Sequence, residues 1–299
     1  MSDEHAGAPE PVRRTSEIEE LTNLYFIHPL SARLVRIFYR LRVSPNAVSI
    51  TGMACGVLAG VAYHRYQTAW CALAGFGLML AWHVMDGADG QLARLTNTPS
   101  ELGKVLDGIC DYVTFTAVYV GLALAMSHTL GFWAWAVAVV SGVCHAVQSA
   151  AYEMQRQEYN FWGWARKSAS LPELTAPRRD MPLARRLPNM LHRQYTRVQL
   201  WVAGGAVAFH KSFAGILAAW PERDAALRQR YREAFAPAIR KWSVLSSNYR
   251  TLAIFIAALV QAPLLYFLIE IFGFSLILVL LLAAQKTRYR RFLEGLRQV

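Results

Sequence analysis

The sequence predicts an all-α polytopic membrane protein with six transmembrane helices and an N-terminal interfacial amphipathic helix. Three observations carry that prediction. The chain is 55% hydrophobic with a mean hydropathy of +0.23, and its apolar residues fall in long blocks rather than short periods. Basic residues crowd the segments expected to share one side of a bilayer. Four aspartates recur at helical spacing beside two of the apolar blocks.

Taken in order, residues 1–21 carry Asp3, Glu4, Glu10, Glu17, Glu19 and Glu20 with no apolar core run. They read as a mobile cytoplasmic tail and not as a secretory signal. From Ser31 to about Leu41, Leu34, Ile37, Phe38 and Leu41 lie opposite Arg33, Arg36 and Arg40, as in a helix lying on the membrane surface. Spans are expected at about Ala47–Tyr63, Trp70–Val84, Val105–Met126, Phe132–Met154, Leu252–Ile269 and Ile271–Ala284. Residues 22–159 thus hold the surface helix and spans one to four. Residues 160–245 form a basic cytoplasmic or interfacial helical insertion, and 246–299 hold spans five and six with a basic tail.

The positive-inside rule orients the chain. Arg156, Arg166, Lys167, Arg178, Arg179, Arg185, Arg186, Arg193 and Arg197 follow span four, and Lys286, Arg288, Arg290 and Arg291 follow span six. The opposite-side connections, at Ser127–Gly131 and around Glu270, lack such clusters, which puts both termini and the aspartates on the cytoplasmic side. Gln199–Trp220 is apolar, but His210 and Lys211 at its middle make a crossing costly. A helical hairpin over about Leu191–Lys241 is expected there instead. Cys55, Cys71, Cys110 and Cys144 lack metal or redox spacing and read as small packing residues. The net charge of +11 lies beside apolar spans rather than in a groove with stacking aromatics, which favours lipid headgroups and nucleotide phosphates over nucleic acid.

From Asp86 the chain reads DGADGQLARLTNTPSELGKVLDGICD. On helices, Asp86 and Asp89 share one face and Asp107 and Asp111 another, each pair about a turn apart. The short connection makes spans two and three antiparallel neighbours, so four carboxylates meet at one end of the bundle. Such hard oxygen ligands suit Mg²⁺, Mn²⁺ or Ca²⁺, and four can share two ions. Capping helices or pairing with surface arginines is the alternative. Each carboxylate in apolar surroundings costs about 2.5–3.5 kcal/mol, which argues for a use. Gly90 and Gly103 leave room for a ligand or a neighbouring helix, and Arg94 can hold a phosphate or fix a carboxylate.

The spacing D-x2-D-G-x2-A-R-x8-G-x3-D-x3-D resembles the signature of the CDP-alcohol phosphatidyltransferase family, and the upstream VSPNAVSITG is similar to that family's first-span segment. The resemblance covers about Ser31–Tyr159. It implies a six-helix membrane enzyme, often a homodimer, that takes a CDP-linked donor from the cytoplasmic side, the inner membrane in a bacterium, and passes its phosphoalcohol unit to a hydroxyl. By that resemblance Asp86, Asp89 and Asp107 would hold metal, with Mg²⁺ or Mn²⁺ and two ions implied. Asp111 would complete the metal site or serve as general base. Gly90, Ala93, Arg94, Gly103 and Asn46 would line the nucleotide site. The expected product is a phospholipid, made from CDP-diacylglycerol and a polyol or polyol phosphate with release of CMP. The alternative is CDP-choline or CDP-ethanolamine donating to a diradyl lipid.

Lys104 and Arg156 are the candidate ligands for an acceptor phosphate, and positive-inside anchoring is their other reading. Tyr152, Tyr159, Phe161, Trp162 and Trp164 could cage an ammonium group or form an interfacial belt. His83 and His145 read as helix-packing residues, and His83, one turn before Asp86, could touch the site. A divalent-cation transporter would instead spread its acids along a path across the bilayer. A soluble prenyl-type synthase would lack the apolar spans, and a lipid-binding scaffold would survive loss of Asp111.

Overall fold

The computed structural model describes residues 17–98, 101–166, 169, 171 and 206–297, and no strand occurs among them. A π-turn at Asn23–Ile27 leads into α1 (His28–Arg40), α2 (Pro45–His64), α3 (Ala69–Leu95), α4 (Glu101–Leu130) and α5 (Phe132–Trp164). Then come α6 (Ala206–Ala219), α7 (Asp224–Trp242), α8 (Ser247–Leu259), α9 (Pro263–Leu268) and α10 (Ser275–Arg297). A second π-turn, Ile269–Phe274, joins the last two into one continuous rod. Among the described residues, five segments are long and apolar enough to cross a membrane: Pro45–His64, Ala69–Leu95, Leu106–Leu130, Phe132–Trp164 and Pro263–Leu296. At 13 residues, α8 is the short member of the bundle, about 20 Å of helix against a hydrocarbon layer of about 30 Å.

Small residues set how closely the first helices approach. Ser44 caps α2 by accepting from the Ala47 N–H at 3.3 Å, with Pro45 at the first position. Along α2, Gly52, Gly56 and Gly60 then repeat every four residues. A Cβ on Gly52 would stand 2.9 Å from the Met85 Cβ, one on Gly56 would overlap Thr114, and one on Gly60 would overlap the Ala117 carbonyl. Thus α2 lies backbone-close to α3 and α4 at once, as small-residue stripes allow between membrane helices. Against α3, α1 buries Ser31 and Val35 while Arg33, Arg36 and Arg40 face outward. The Ser31 hydroxyl donates to the Val84 carbonyl at 2.8 Å.

Beyond the bundle, the far turns of α5 and α10 carry a second core made with α6 and α7. Tyr159, Trp162, Phe209, Phe213, Tyr231, Phe235 and Tyr289 fill it. Phe213 meets Tyr231 at 5.6 Å and Phe209 meets Phe235 at 5.8 Å, so α6 and α7 run antiparallel. In that core the Glu158 carboxylate accepts from the Tyr231 and Tyr289 hydroxyls, and His210 Nε2 stands 3.2 Å away. Within the segment that resembles a seventh span, the described part is therefore a 14-residue helix held in an aromatic cluster. Residues 191–205 of the expected hairpin lie outside the described residues.

Two expectations are corrected here. Glu270 is not a corner between spans: the turn falls at residues 260–262, where Gln261 has φ +59°, and Glu270 lies within the continuous rod. It is fully buried there and pairs with the equally buried Arg250 of α8 at 3.2 Å. Residues 17–21, expected to belong to a mobile tail, are docked in their described part. Ile18 enters the aromatic core, and the Glu20 carboxylate accepts from Ser246 at 2.8 Å, Asn248 at 2.6 Å and Tyr152 at 3.2 Å. Both errors have one cause: an acid read alone belongs in water, whereas these two have partners far away in the chain.

Candidate active site

Close packing of α2 against α3 and α4 gathers the aspartates. Gly52 faces Met85 and Ser49 faces Asp89, so α2 and α3 are antiparallel; Ser49 also meets Cys110 and Gly56 meets Thr114, so α2 and α4 are parallel. The α2 start, the α3 end and the α4 start therefore share one end of the bundle. There Asp86, Asp89 and Asp107 each place a carboxylate oxygen within 4.8 Å of the others. Asp89 is buried, Asp86 half-buried and Asp107 exposed, which leaves the group open on one side.

Ser49 donates its hydroxyl to Asp89, tying the deepest aspartate to α2. The Cys110 thiol donates to the Ser49 carbonyl at 3.6 Å, tying α4 to the same turn. Ser49 was not singled out from the sequence; its place four residues after Pro45, one turn into the first span, was the available signal. Asp111, on the exposed face of α4 one turn beyond Asp107, is not a member of the close carboxylate group.

The remaining signature residues surround that end. The Arg94 side chain folds back over Gly90, where a Cβ would meet its Nη1 at 3.5 Å. Ala93 lies in the last turn of α3, and its carbonyl accepts from the Thr98 N–H at 2.9 Å as the helix unwinds. Gly103, half-buried, opens α4. Asn46 is half-buried in the first turn of α2, and the α2–α3 register puts it at the depth of Leu92 and Ala93.

Other candidates are placed elsewhere. His83 Nε2 lies 2.9 Å from the Thr251 hydroxyl of α8, and His145 Nδ1 lies 3.1 Å from the Tyr119 hydroxyl; both tie helices together. Arg156 donates to Glu153 at 2.9 Å and lies 5.6 Å from the Tyr152 ring. The Lys104 side chain lies outside the described residues. Of the aromatic cluster, Tyr159 and Trp162 are core residues and Trp164 already carries the Arg232 guanidinium at 4.3 Å, so no open cage forms from them.

Three carboxylates at this separation, with a serine fixing one and an open side, fit a hard divalent cation. Free of a cation, they would repel one another.

The comparisons agree with this geometry. Residues 42–178 match the CDP-alcohol phosphatidyltransferase family model. A CDP-alcohol phosphatidyltransferase class-I family protein of Dictyostelium discoideum is 30% identical over 100 residues, covering 31% of this chain and 24% of that protein. Choline/ethanolaminephosphotransferase 1 of Arabidopsis thaliana is 28% identical over 125 residues, 39% of this chain and 32% of its own length. The CDP-diacylglycerol--serine O-phosphatidyltransferase of Mycobacterium tuberculosis is 29% identical over 114 residues, 38% of each chain. The chain thus spans well under half the length of these relatives. With its signature complete and three of its aspartates gathered at one end of a membrane bundle, this chain matches the CDP-alcohol phosphatidyltransferase family over residues 42–178, a little under half of its length.

Proposed function

We propose that this protein transfers a phosphatidyl unit from CDP-diacylglycerol to the hydroxyl of a polyol or polyol phosphate, releasing CMP. The observation that carries the reading is the convergence of Asp86, Asp89 and Asp107 within 4.8 Å, with Asp111 one turn away outside that group. The donor choice is supported by the mycobacterial relative, whose name specifies CDP-diacylglycerol. The Arabidopsis relative supports a second reading, CDP-choline or CDP-ethanolamine donating to a diradyl lipid. A cation transporter is disfavoured because the acids gather at one depth instead of forming a path.

In this reading Asp86, Asp89 and Asp107 would hold Mg²⁺ or Mn²⁺, one ion or two. A cation held there would offset the pyrophosphate charge and stabilise departing CMP. Arg94 and the backbone beside Gly90, Ala93, Gly103 and Asn46 orient the cytidine diphosphate. Asp111, the acid least engaged with the close group, takes the acceptor hydroxyl's proton. The acceptor oxygen bonds to the lipid-bearing phosphorus as its bond to the CMP oxygen breaks, and no covalent enzyme intermediate is needed. The protein acts as a homodimer, with site and termini on the cytoplasmic side, a placement supported by the arginine-rich segments after spans four and six.

The test is CMP release by the purified chain in lipid micelles with Mg²⁺ or Mn²⁺. Acceptor-dependent CMP that disappears in Asp111→Asn supports the reading; full activity in that variant overturns the role of Asp111, and no CMP with any donor overturns the transferase.

A further inference from the structure

Resting on the transferase reading, we infer that the acceptor alcohol carries no phosphate, and that Glu153, Arg156 and Glu20 set this selectivity. An acceptor hydroxyl must come within reach of Asp111, so its remainder meets whatever stands at that depth on the neighbouring helices. Two registers identify those residues. Between α4 and α5, Phe115 packs on His145 at 4.4 Å, and a Cβ on Gly142 would touch Tyr119. Two turns toward the aspartate end, that antiparallel register brings Tyr152 and Glu153 to the depth of Asp107, with Arg156 one turn farther out. Between α3 and α8, Phe76 stacks on Phe255 and His83 meets Thr251, which brings Asn248 to the depth of Asp86.

The docked segment at residues 17–23 closes this side. Asn248 Nδ2 lies 2.6 Å from Glu20, 2.9 Å from Thr22 and 2.8 Å from Asn23. Tyr152 of α5 donates to the same Glu20 carboxylate. Glu19, Glu20 and Glu153 gather at this end of α5, and among the described side chains Arg156 is the cation set among them.

Arg156 is not presented as a phosphate ligand. Its Nη1 donates to Glu153 Oε2 at 2.9 Å, while Gln157 holds the other oxygen of Glu153 at 2.6 Å. The carboxylates of Glu19 and Glu20 act on the same guanidinium, which is 19% exposed. A phosphate monoester would have to break this pair and face the released carboxylate together with Glu20. A neutral polyol, an amino alcohol or a diacylglycerol pays neither cost. Selectivity by facing like charges is a common way to reject a near-identical substrate.

The test reads ratios within each variant, so partial loss of folded protein does not move them. In CDP-diacylglycerol micelles with Mn²⁺, CMP release is measured with inositol and serine against inositol phosphate and glycerol phosphate, and CDP-choline with diacylglycerol is the second donor pair. Expected is at least about tenfold higher kcat/KM for the unphosphorylated acceptors, with Glu153→Gln and Glu20→Gln each moving the ratio toward the phosphorylated ones by about tenfold. Preference of the wild type for a phosphorylated acceptor overturns the inference and leaves the transferase standing. So does Arg156→Gln if it removes use of phosphorylated acceptors alone. Absence of CMP with every pair overturns both.

Discussion

The α2–α4 unit and the α8–α10 unit both bury polar groups in a membrane bundle, and they satisfy them in opposite ways. In α8–α10, Arg250 donates to Glu270 at 3.2 Å, to Gln148 of α5 at 2.6 Å and to the Leu245 carbonyl. Tyr266 donates to the same Glu270 at 3.0 Å, and Gln148 returns an N–H to the Glu270 carbonyl at 3.1 Å. Both buried charges there, Arg250 and Glu270, meet an opposite charge and further hydrogen-bond partners within the protein. In α2–α4 three of the acids come close to one another, with Ser49 a donor to Asp89 and glycines holding the helices close. Opposite charges paired inside a bundle hold it together; like charges gathered at its mouth call for a cation.

That contrast can be broken at its sharpest point first. Asp111→Asn is expected to lower acceptor-dependent CMP release by about 10³-fold, with thermal unfolding unchanged because Asp111 lies on an exposed face. A matching loss of stability would place Asp111 among the structural groups instead. In the other unit, Arg250→Leu or Glu270→Leu alone is expected to cost about 3–5 kcal/mol by stranding a buried partner. The double variant should recover much of that loss, and an additive cycle in denaturation midpoints would deny the coupling.

Next in size is packing. Gly56→Leu inserts a side chain where even a Cβ overlaps Thr114, and is expected to cost about 1–3 kcal/mol while moving α2, and with it Ser49, off Asp89. Gly215→Leu, where a Cβ meets nothing within 4 Å, is the control. Cation binding comes next: Mg²⁺ or Mn²⁺ at 100 times its dissociation constant should raise stability by about 2.7 kcal/mol. EDTA should reverse that gain, and Asp89→Asn should not show it. An equal gain in the variant would remove the three-aspartate group as the binding site.

The smallest effect concerns pH. Burial raises Glu20 above its ordinary value near 4.5, against the lowering effect of Ser246 and Asn248. The folded state therefore keeps a proton that the unfolded chain releases. This contribution to stability is complete below pH 4.5 and is lost as pH rises through the raised value. Glu20→Gln should flatten the stability profile across that window, and an unchanged slope would assign it to another group.

Much of the site is legible in the sequence because helical spacing is local information: Asp86 and Asp89 must share a face, as must Asp107 and Asp111, wherever the helices go. Apolar run length likewise marks most spans before any packing is known. Glu270 and Glu20 were misplaced by the same reasoning, since a lone acid is read as a boundary or a tail when its partners, Arg250 and Asn248, are distant in sequence. Arg156 shows the limit from the other side, because its charge alone gives no sign of the carboxylates of Glu153 and Glu20 that act on it.

By itself the sequence determined the membrane class, the spacing of the four aspartates and the family they resemble, because composition and helical periodicity act over a few residues. Only the tertiary structure decided that three aspartates close on one another while Asp111 stands outside the group, that Glu270 lies inside a rod, and which carboxylates surround Arg156. Those outcomes depend on helix register and on how closely glycines let backbones approach, and both are properties of pairs of helices rather than of either one alone.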